Sequence, residues 1–327
     1  MIDVLSAAGS NFLSPTILAF VLGALAGFFR SDLEVPEAIA KGLSIYLMLA
    51  IGMKGGASLA TSGVGLDVLP GLVAAVGLSF LIPFVAYGLL KFATRLQSVD
   101  AAAVSAHYGS VSIVTFVTAT QFLTDIDVPY EAHVIAMVAL METPAIISGL
   151  MLARRNAASK VNSSLFSPDM VREIFFNGSI VLLLGGFAIG WASGPQGMAS
   201  VSAFFVDPFQ GVLCLFLLDM GLVAAHRLRA ARSLTFSVVA FGLYMPLIGA
   251  TFGAITGLAV GLSPGGAILL TVLSASASYI AVPAAMRLAL PKADPGIYIP
   301  LSLGVTFPFN VLIGIPLYAT CINAIVT

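Results

Sequence analysis

Ser274-Ala275-Ser276-Ala277-Ser278-Tyr279-Ile280-Ala281-Val282-Pro283 lies in the middle of an apolar run from about Gly265 to Leu290, and its reading decides the fold. The stretch carries three serine hydroxyls, a tyrosine and a helix-breaking proline. Lipid offers none of these groups a hydrogen-bond partner. A backbone interrupted at membrane depth is tolerated only where protein or a water-filled cavity receives its freed N–H and C=O groups. The stretch therefore predicts a polar site inside a membrane-embedded protein.

The composition around it agrees. The 327-residue chain is 59% hydrophobic and 9% charged, with a mean hydropathy of +1.06, whereas roughly a quarter of the residues of a soluble domain carry charge. This is the composition of a polytopic membrane protein in contact with the lipid bilayer. With 14 Lys and Arg against 15 Asp and Glu, no basic stripe is left to displace counterions from phosphates, so no nucleic-acid partner is expected. The three histidines are scattered, which argues against a transition-metal site. Cys214 and Cys321 sit inside apolar runs and read as two small buried side chains rather than a disulfide. The first dozen residues lack a basic region and a cleavage site, so the first span is expected to be retained.

At about 20 apolar residues per crossing, ten spans are expected, near residues 14–29, 36–53, 67–93, 99–123, 129–153, 172–193, 205–225, 234–260, 265–289 and 296–323. The first is bounded by Ser14-Pro15, a helix-start pair, and by Arg30. Short cytoplasmic loops retain positive charge. With ten spans, Lys54 falls on one side and the other thirteen Lys and Arg, from Arg30 to Lys292, on the opposite one. That asymmetry places both termini outside the cell (inner) membrane.

Two halves with an odd number of spans each enter the membrane upside down relative to one another, and traces of such a repeat are present. The second span ends in Leu49-Ala50-Ile51-Gly52-Met53, and the seventh contains Leu217-Leu218-Asp219-Met220-Gly221. His107-Tyr108-Gly109-Ser110-Val111-Ser112 in the fourth span corresponds to Ser274–Tyr279 in the ninth. Spans 5 and 10 each follow a proline, Pro129 and Pro295, and each hold another, Pro144 and Pro308. The expected fold is an all-α polytopic membrane protein of ten transmembrane helices in two inverted five-helix repeats, 1–153 and 172–327, joined by a cytoplasmic linker, 154–171. Helices 4 and 9 are broken. Inverted repeats generate two near-degenerate conformations around a site at their interface, the architecture of secondary transporters. Half-helix N-termini meeting there favour an anion, and unwound carbonyls and hydroxyls beside them suit sodium, a hard cation that takes oxygen ligands.

At these residues the chain resembles the SbtA-type sodium-dependent bicarbonate transporters of cyanobacteria. The resemblance runs in order through Ser14-Pro15-Thr16, Val35-Pro36-Glu37, Ile51-Gly52 with Gly55-Gly56, Gly109 to Thr115, Pro129-Tyr130-Glu131-Ala132, Pro144-Ala145, Pro283 to Arg287, and Pro291-Lys292-Ala293-Asp294-Pro295-Gly296-Ile297-Tyr298-Ile299. It implies a homotrimer, a core domain moving against a gate domain, and symport of sodium with bicarbonate, with no other cofactor. A PII-like regulator is the partner it implies on the cytoplasmic side, although the loop that would help to dock it is much reduced here.

Carried over position by position, the family's anion contacts fall on Gly109, Ser110, Ser112, Ile113, Val114, Ala281 and Val282. Its ion ligands fall on Thr115, Glu142, Ser276, Ser278 and Tyr279. Gly109, Val111, Ser112, Thr115, Ser276, Ser278, Ile280 and Pro283 match the family pattern. A Gly-Ser pair has become Ile113-Val114, a Ser-Gly pair Ala281-Val282, the acid of the ninth span Tyr279, and Asp-Ile-Pro of the fifth span Glu142-Thr143-Pro144. Leaving bicarbonate oxygens unmet costs roughly 1–3 kcal/mol each, so this wall predicts a better fit for a carboxylate with an apolar or aromatic part.

Single acids and histidines complete the candidates. Glu142 lies near the middle of the fifth span, where a charge costs roughly 2.5–3.5 kcal/mol on insertion scales, and should face the protein interior as an ion ligand, a proton carrier or a neutral structural acid. Asp219, midway along the seventh, either couples transport or pairs locally. His107 is either a hydrogen-bonded helix histidine or a proton relay. An intramembrane enzyme is the rival class, but no Gly-x-Ser-x-Gly elbow is present and no histidine is aligned with a serine. A proton-coupled transporter or a channel of the same fold is the other alternative.

Overall fold

The computed structural model describes residues 13–62, 65, 68–155, 178–231 and 233–326, and every regular element among them is helical. Eight helical segments are long and apolar enough to cross a membrane, and two shorter apolar helices, Pro15–Phe28 and Pro264–Ala275, accompany them. The chain is thus a multi-pass membrane protein. In order the elements are α1 (Pro15–Phe28), α2 (Glu37–Ser62), α3 (Val68–Ala93), α4 (Ser98–Gly109), α5 (Ile113–Asp125), α6 (Val134–Leu140) and α7 (Glu142–Arg155). They continue with α8 (Gly178–Ser200), α9 (Ser202–Phe205), α10 (Phe209–Ala230), α11 (Phe236–Ala259), α12 (Pro264–Ala275) and α13 (Ala281–Ala289). The last, α14 (Pro295–Val326), passes through two π-helical stretches, Leu301–Thr306 and Asn310–Gly314.

One device opens three of these segments. Ser14, Ser263 and Asp294 each precede a proline and accept a hydrogen bond from a backbone N–H of the first turn, at 3.4 Å from Ile17, 3.2 Å from Gly266 and 2.7 Å from Gly296. The side chain satisfies a donor that the helix leaves orphaned, and proline occupies a position that needs no N–H.

Small residues then set which helices pair. A Cβ on Gly23 of α1 would lie 2.0 Å from the Leu218 carbonyl oxygen of α10, and one on Gly56 of α2 would lie 1.9 Å from that of Phe187 of α8. Backbones this close are the usual consequence of small residues four apart, here Gly23/Gly27, Gly52/Gly56 and Gly186/Gly190. The helices α1, α2, α8 and α10 form one group, while α3–α7 and α11–α14 pack as a second. Within the second, α3 lies on α4 as α11 lies on α12.

Burial separates the broken helices from ordinary spans. The apolar window of Ser98–Asp125 is 100% buried inside the protein, against 22% for Ile180–Ser200. The interrupted segment has no lipid to face.

Several edges differ from the expectation. The second span, expected to end at 53, continues to Ser62, because Lys54 and Ser58 face a cavity rather than lipid. The sixth, expected at 172–193, runs over Gly178–Ser200 with a break at Gly194, whose φ of 61° and ψ of −167° together favour glycine. Residues 195–205 then turn back along α2, where the Tyr46 hydroxyl donates to the Phe204 carbonyl and its ring stacks on Phe205. The two cysteines are free, but they are not buried as expected: Cys214 is half-buried and Cys321 exposed, since apolar spans also turn faces outward to lipid. Residues 1–12 and linker residues 156–171 lie outside the described residues.

Candidate functional site

The two interruptions cross. Between α4 and α5 the chain leaves helical geometry at Ser110–Ser112, and between α12 and α13 at Ser276–Ile280. Each break supplies what the other lacks. The Ser278 N–H donates to the His107 carbonyl at 2.8 Å, and the Ser112 N–H donates to Ser276 Oγ at 3.0 Å. Ser276 in turn donates to the Leu273 carbonyl at 2.8 Å. A broken membrane helix must place its freed backbone groups on protein, and here the protein is the other broken helix.

Two helix N-termini begin at this crossing. Ser112 caps α5 by accepting from the Thr115 N–H at 3.2 Å and from its hydroxyl at 2.9 Å. Ser278 accepts from the Val282 N–H of α13 at a longer 3.4 Å. The remaining first-turn N–H groups leave partial positive charge beside the crossing. The apolar replacements lie against it: Val114 and Val282 are 2% and 0% exposed, and Ile113 and Ala281 are also buried.

Two buried polar atoms of the interruptions themselves, Ser110 Oγ and Tyr279 OH, have no partner; among the described residues Ser274 Oγ, which faces Gly253 of α11, His107 Nε2 and Ser302 Oγ lack one as well. Orphaned buried groups are rare in native proteins and call for an occupant such as water or an ion. The Tyr279 hydroxyl lies against Ser112 without forming a hydrogen bond of normal geometry. Its ring packs on Phe307, centroids 5.4 Å apart, and Phe307 packs on Phe20 of α1 at 5.5 Å, so Phe307 links Tyr279 to the other helix group. His107 Nδ1 lies 2.6 Å from the Ala103 carbonyl oxygen, which can only accept. Nδ1 therefore carries a proton.

Ser112, Thr115, Ser276, Ser278 and Tyr279 are thus brought together. Gly109 has a packing reason of its own, since a Cβ there would meet Pro83 Cγ at 2.3 Å and the Ser79 carbonyl oxygen at 2.7 Å. Glu142 is 2% exposed and opens α7 where the fifth span breaks after Met141, whose carbonyl accepts from Ser79 Oγ. Its helix packs on α4 and α13. Asp219 is buried on α10, whose main neighbour is α1 in the other group.

Residues of α14 were not anticipated. Asn310, fully buried in a π-helical stretch, donates from Nδ2 to the Ala275 carbonyl at 2.8 Å and accepts from the Tyr318 hydroxyl at 2.9 Å. Thr306 donates to the Gly242 carbonyl at 2.8 Å and bonds the Tyr108 hydroxyl at 2.6 Å. π-Helical insertions recur at functional sites. The available signal was an amide two residues after Pro308 in a largely apolar span.

The site's chemistry is that of neutral oxygen donors beside positive helix ends. Among the described residues no three His, Cys, Asp or Glu side chains converge on a common point; the crossing itself offers hydroxyls and carbonyls, oxygen donors of the kind that sodium takes. A family model described as the Na+-dependent bicarbonate transporter superfamily matches residues 15–323. The chain belongs to that superfamily. The family is one of transporters, and the protein is a transporter rather than an enzyme. The match spans both broken helices and α14, so the crossing sits within the family's common structure. No curated protein matches the chain.

Proposed function

We propose that the protein is a sodium-coupled symporter of bicarbonate or another small carboxylate, working by alternating access around the crossing of the fourth and ninth spans. The observation that carries this reading is the crossing of two broken helices, where the Ser110 and Tyr279 hydroxyls lack partners and two half-helix N-termini begin. Ser110, Ser112, Ile113, Val114, Ala281 and Val282 border the anion, with Gly109 shaping the backbone. Thr115, Ser276, Ser278, Tyr279 and Glu142 serve the cation.

Ten spans in two inverted repeats fit the helix pairings. Exchanging the first span with the sixth and the second with the seventh turns the α1–α10 pair into the α8–α2 pair, and the α3–α4 contact has its counterpart in α11–α12. Both termini outside, the inner membrane, a homotrimer and a PII-like regulator complete the proposal. The group α1, α2, α8 and α10 is the natural gate, and the second group the moving core.

The test is flux in proteoliposomes. Under an inward sodium gradient, bicarbonate uptake should saturate and should collapse when choline replaces sodium. Equal uptake in choline would sink sodium coupling and move the coupling ion to a proton, with Glu142 and His107 as carriers. Glu142→Gln separates these outcomes, since proton-driven flux retained in that variant removes Glu142 from the mechanism.

A further inference from the structure

A cavity of about 760 Å³ lies between the two helix groups, lined by Lys54 of α2, Gln121 of α5, Asp127, Tyr130, Asp207 and Gln210 among others. It shares no lining residue with the crossing. Along α5 its nearest lining residue, Thr120, stands seven residues beyond Ile113, about 10 Å at 1.5 Å per residue. Lys54 lies inside a membrane-spanning helix, eight residues before its end at Ser62. A charged side chain at such depth is costly, and it is found almost always facing a water-filled cavity on a substrate or ion path. With the ten spans expected from the sequence, Lys54 stands apart from the other Lys and Arg. Its side chain is exposed, and no ion pair to it is formed among the described residues.

We propose that this cavity is a docking vestibule in which the Lys54 ammonium holds a small anion before it reaches the crossing. The purpose of the site rests on the transport reading, but anion binding at Lys54 does not. Asp127 and Asp207 line the same space and repel an anion there, so the docking is weak and exchangeable, as suits a place that substrate must leave.

Purified wild-type protein is acetylated with a neutral succinimidyl acetate at fixed pH and ionic strength, in sodium bicarbonate or in sodium gluconate, with Lys41 as the internal reference in mass spectrometry. Acetylation of Lys54 should fall saturably with bicarbonate, by about fivefold, the factor expected for two unit charges 4 Å apart in water. Asp127→Asn should lower the half-maximal concentration. In proteoliposomes, Lys54→Gln should raise the KM for bicarbonate about fivefold with the maximal rate within twofold, and Lys54→Arg should restore it. Equal Lys54 acetylation in the two salts overturns the proposal even if transport is robust, and so does a Lys54→Gln defect confined to the maximal rate. Protection of Lys54 without bicarbonate uptake would instead leave the docking site standing and remove bicarbonate as the cargo.

Discussion

The two interruptions at the crossing are built differently. The first, Ser110–Ser112, is short and caps itself: Ser112 both ends the break and holds the first turn of α5. The second, Ser276–Ile280, is longer, α13 has no side-chain cap at Ile280 and only a 3.4 Å bond from the Val282 N–H to Ser278, and the end of α12 is held from outside by Asn310 of α14. Beyond the bonds that the two breaks exchange, one is fastened locally and the other by a neighbour 35 residues away along the chain. The difference suggests which half yields during transport. A self-capped turn keeps its shape wherever its helix goes, whereas a break held by a π-helical neighbour shifts when that neighbour shifts.

The sharpest way to break this comparison is Asn310→Leu. It orphans the Ala275 carbonyl and the Tyr318 hydroxyl in a buried site, where each unsatisfied group costs about 1–3 kcal/mol. A loss of about 2–4 kcal/mol is expected, read as a large fall in Tm in detergent. A fall no larger than that of Ser112→Ala would mean that the second break supports itself.

Ser112→Ala comes next. Removing a serine cap costs about 1 kcal/mol, and here it also strips the Thr115 hydroxyl of its acceptor. A moderate drop in Tm together with loss of uptake is expected. A stable variant with normal flux would show that the cap serves neither fold nor site.

The smallest effect on stability is expected from Tyr279→Phe, because the hydroxyl it removes has no hydrogen-bond partner while the ring keeps its contact with Phe307. Tm should stay the same or rise slightly, while any stabilisation by sodium with bicarbonate should disappear, since a ligand stabilises only the state that binds it. Undiminished stabilisation in Tyr279→Phe would take the tyrosine out of the ion site.

How much of this was legible in the chain follows from the range of each interaction. Ser14-Pro15 announces a helix start because its cap reaches only three residues, and that start is found. The breaks at Ser110–Ser112 and Ser276–Ile280 were visible as hydroxyls and glycine or proline inside apolar runs, since lipid permits such runs only where protein receives them. The stopping point of the second span was misjudged at Lys54, because a polar residue in a helix reads as an end unless one knows that a cavity lies beside it.

Asn310 was missed for the opposite reason. Nothing local distinguishes it from an amide that caps or kinks its own helix, and its partner, the Ala275 carbonyl, is defined only once α14 lies against α12. By itself the sequence determined the membrane class, the broken spans and the residue types offered to an ion, because hydropathy and capping act over a few residues. Only the tertiary structure decided which broken ends meet, which buried atoms stay without partners, and where Lys54 points. Those depend on helices brought together by close backbone packing from distant parts of the chain.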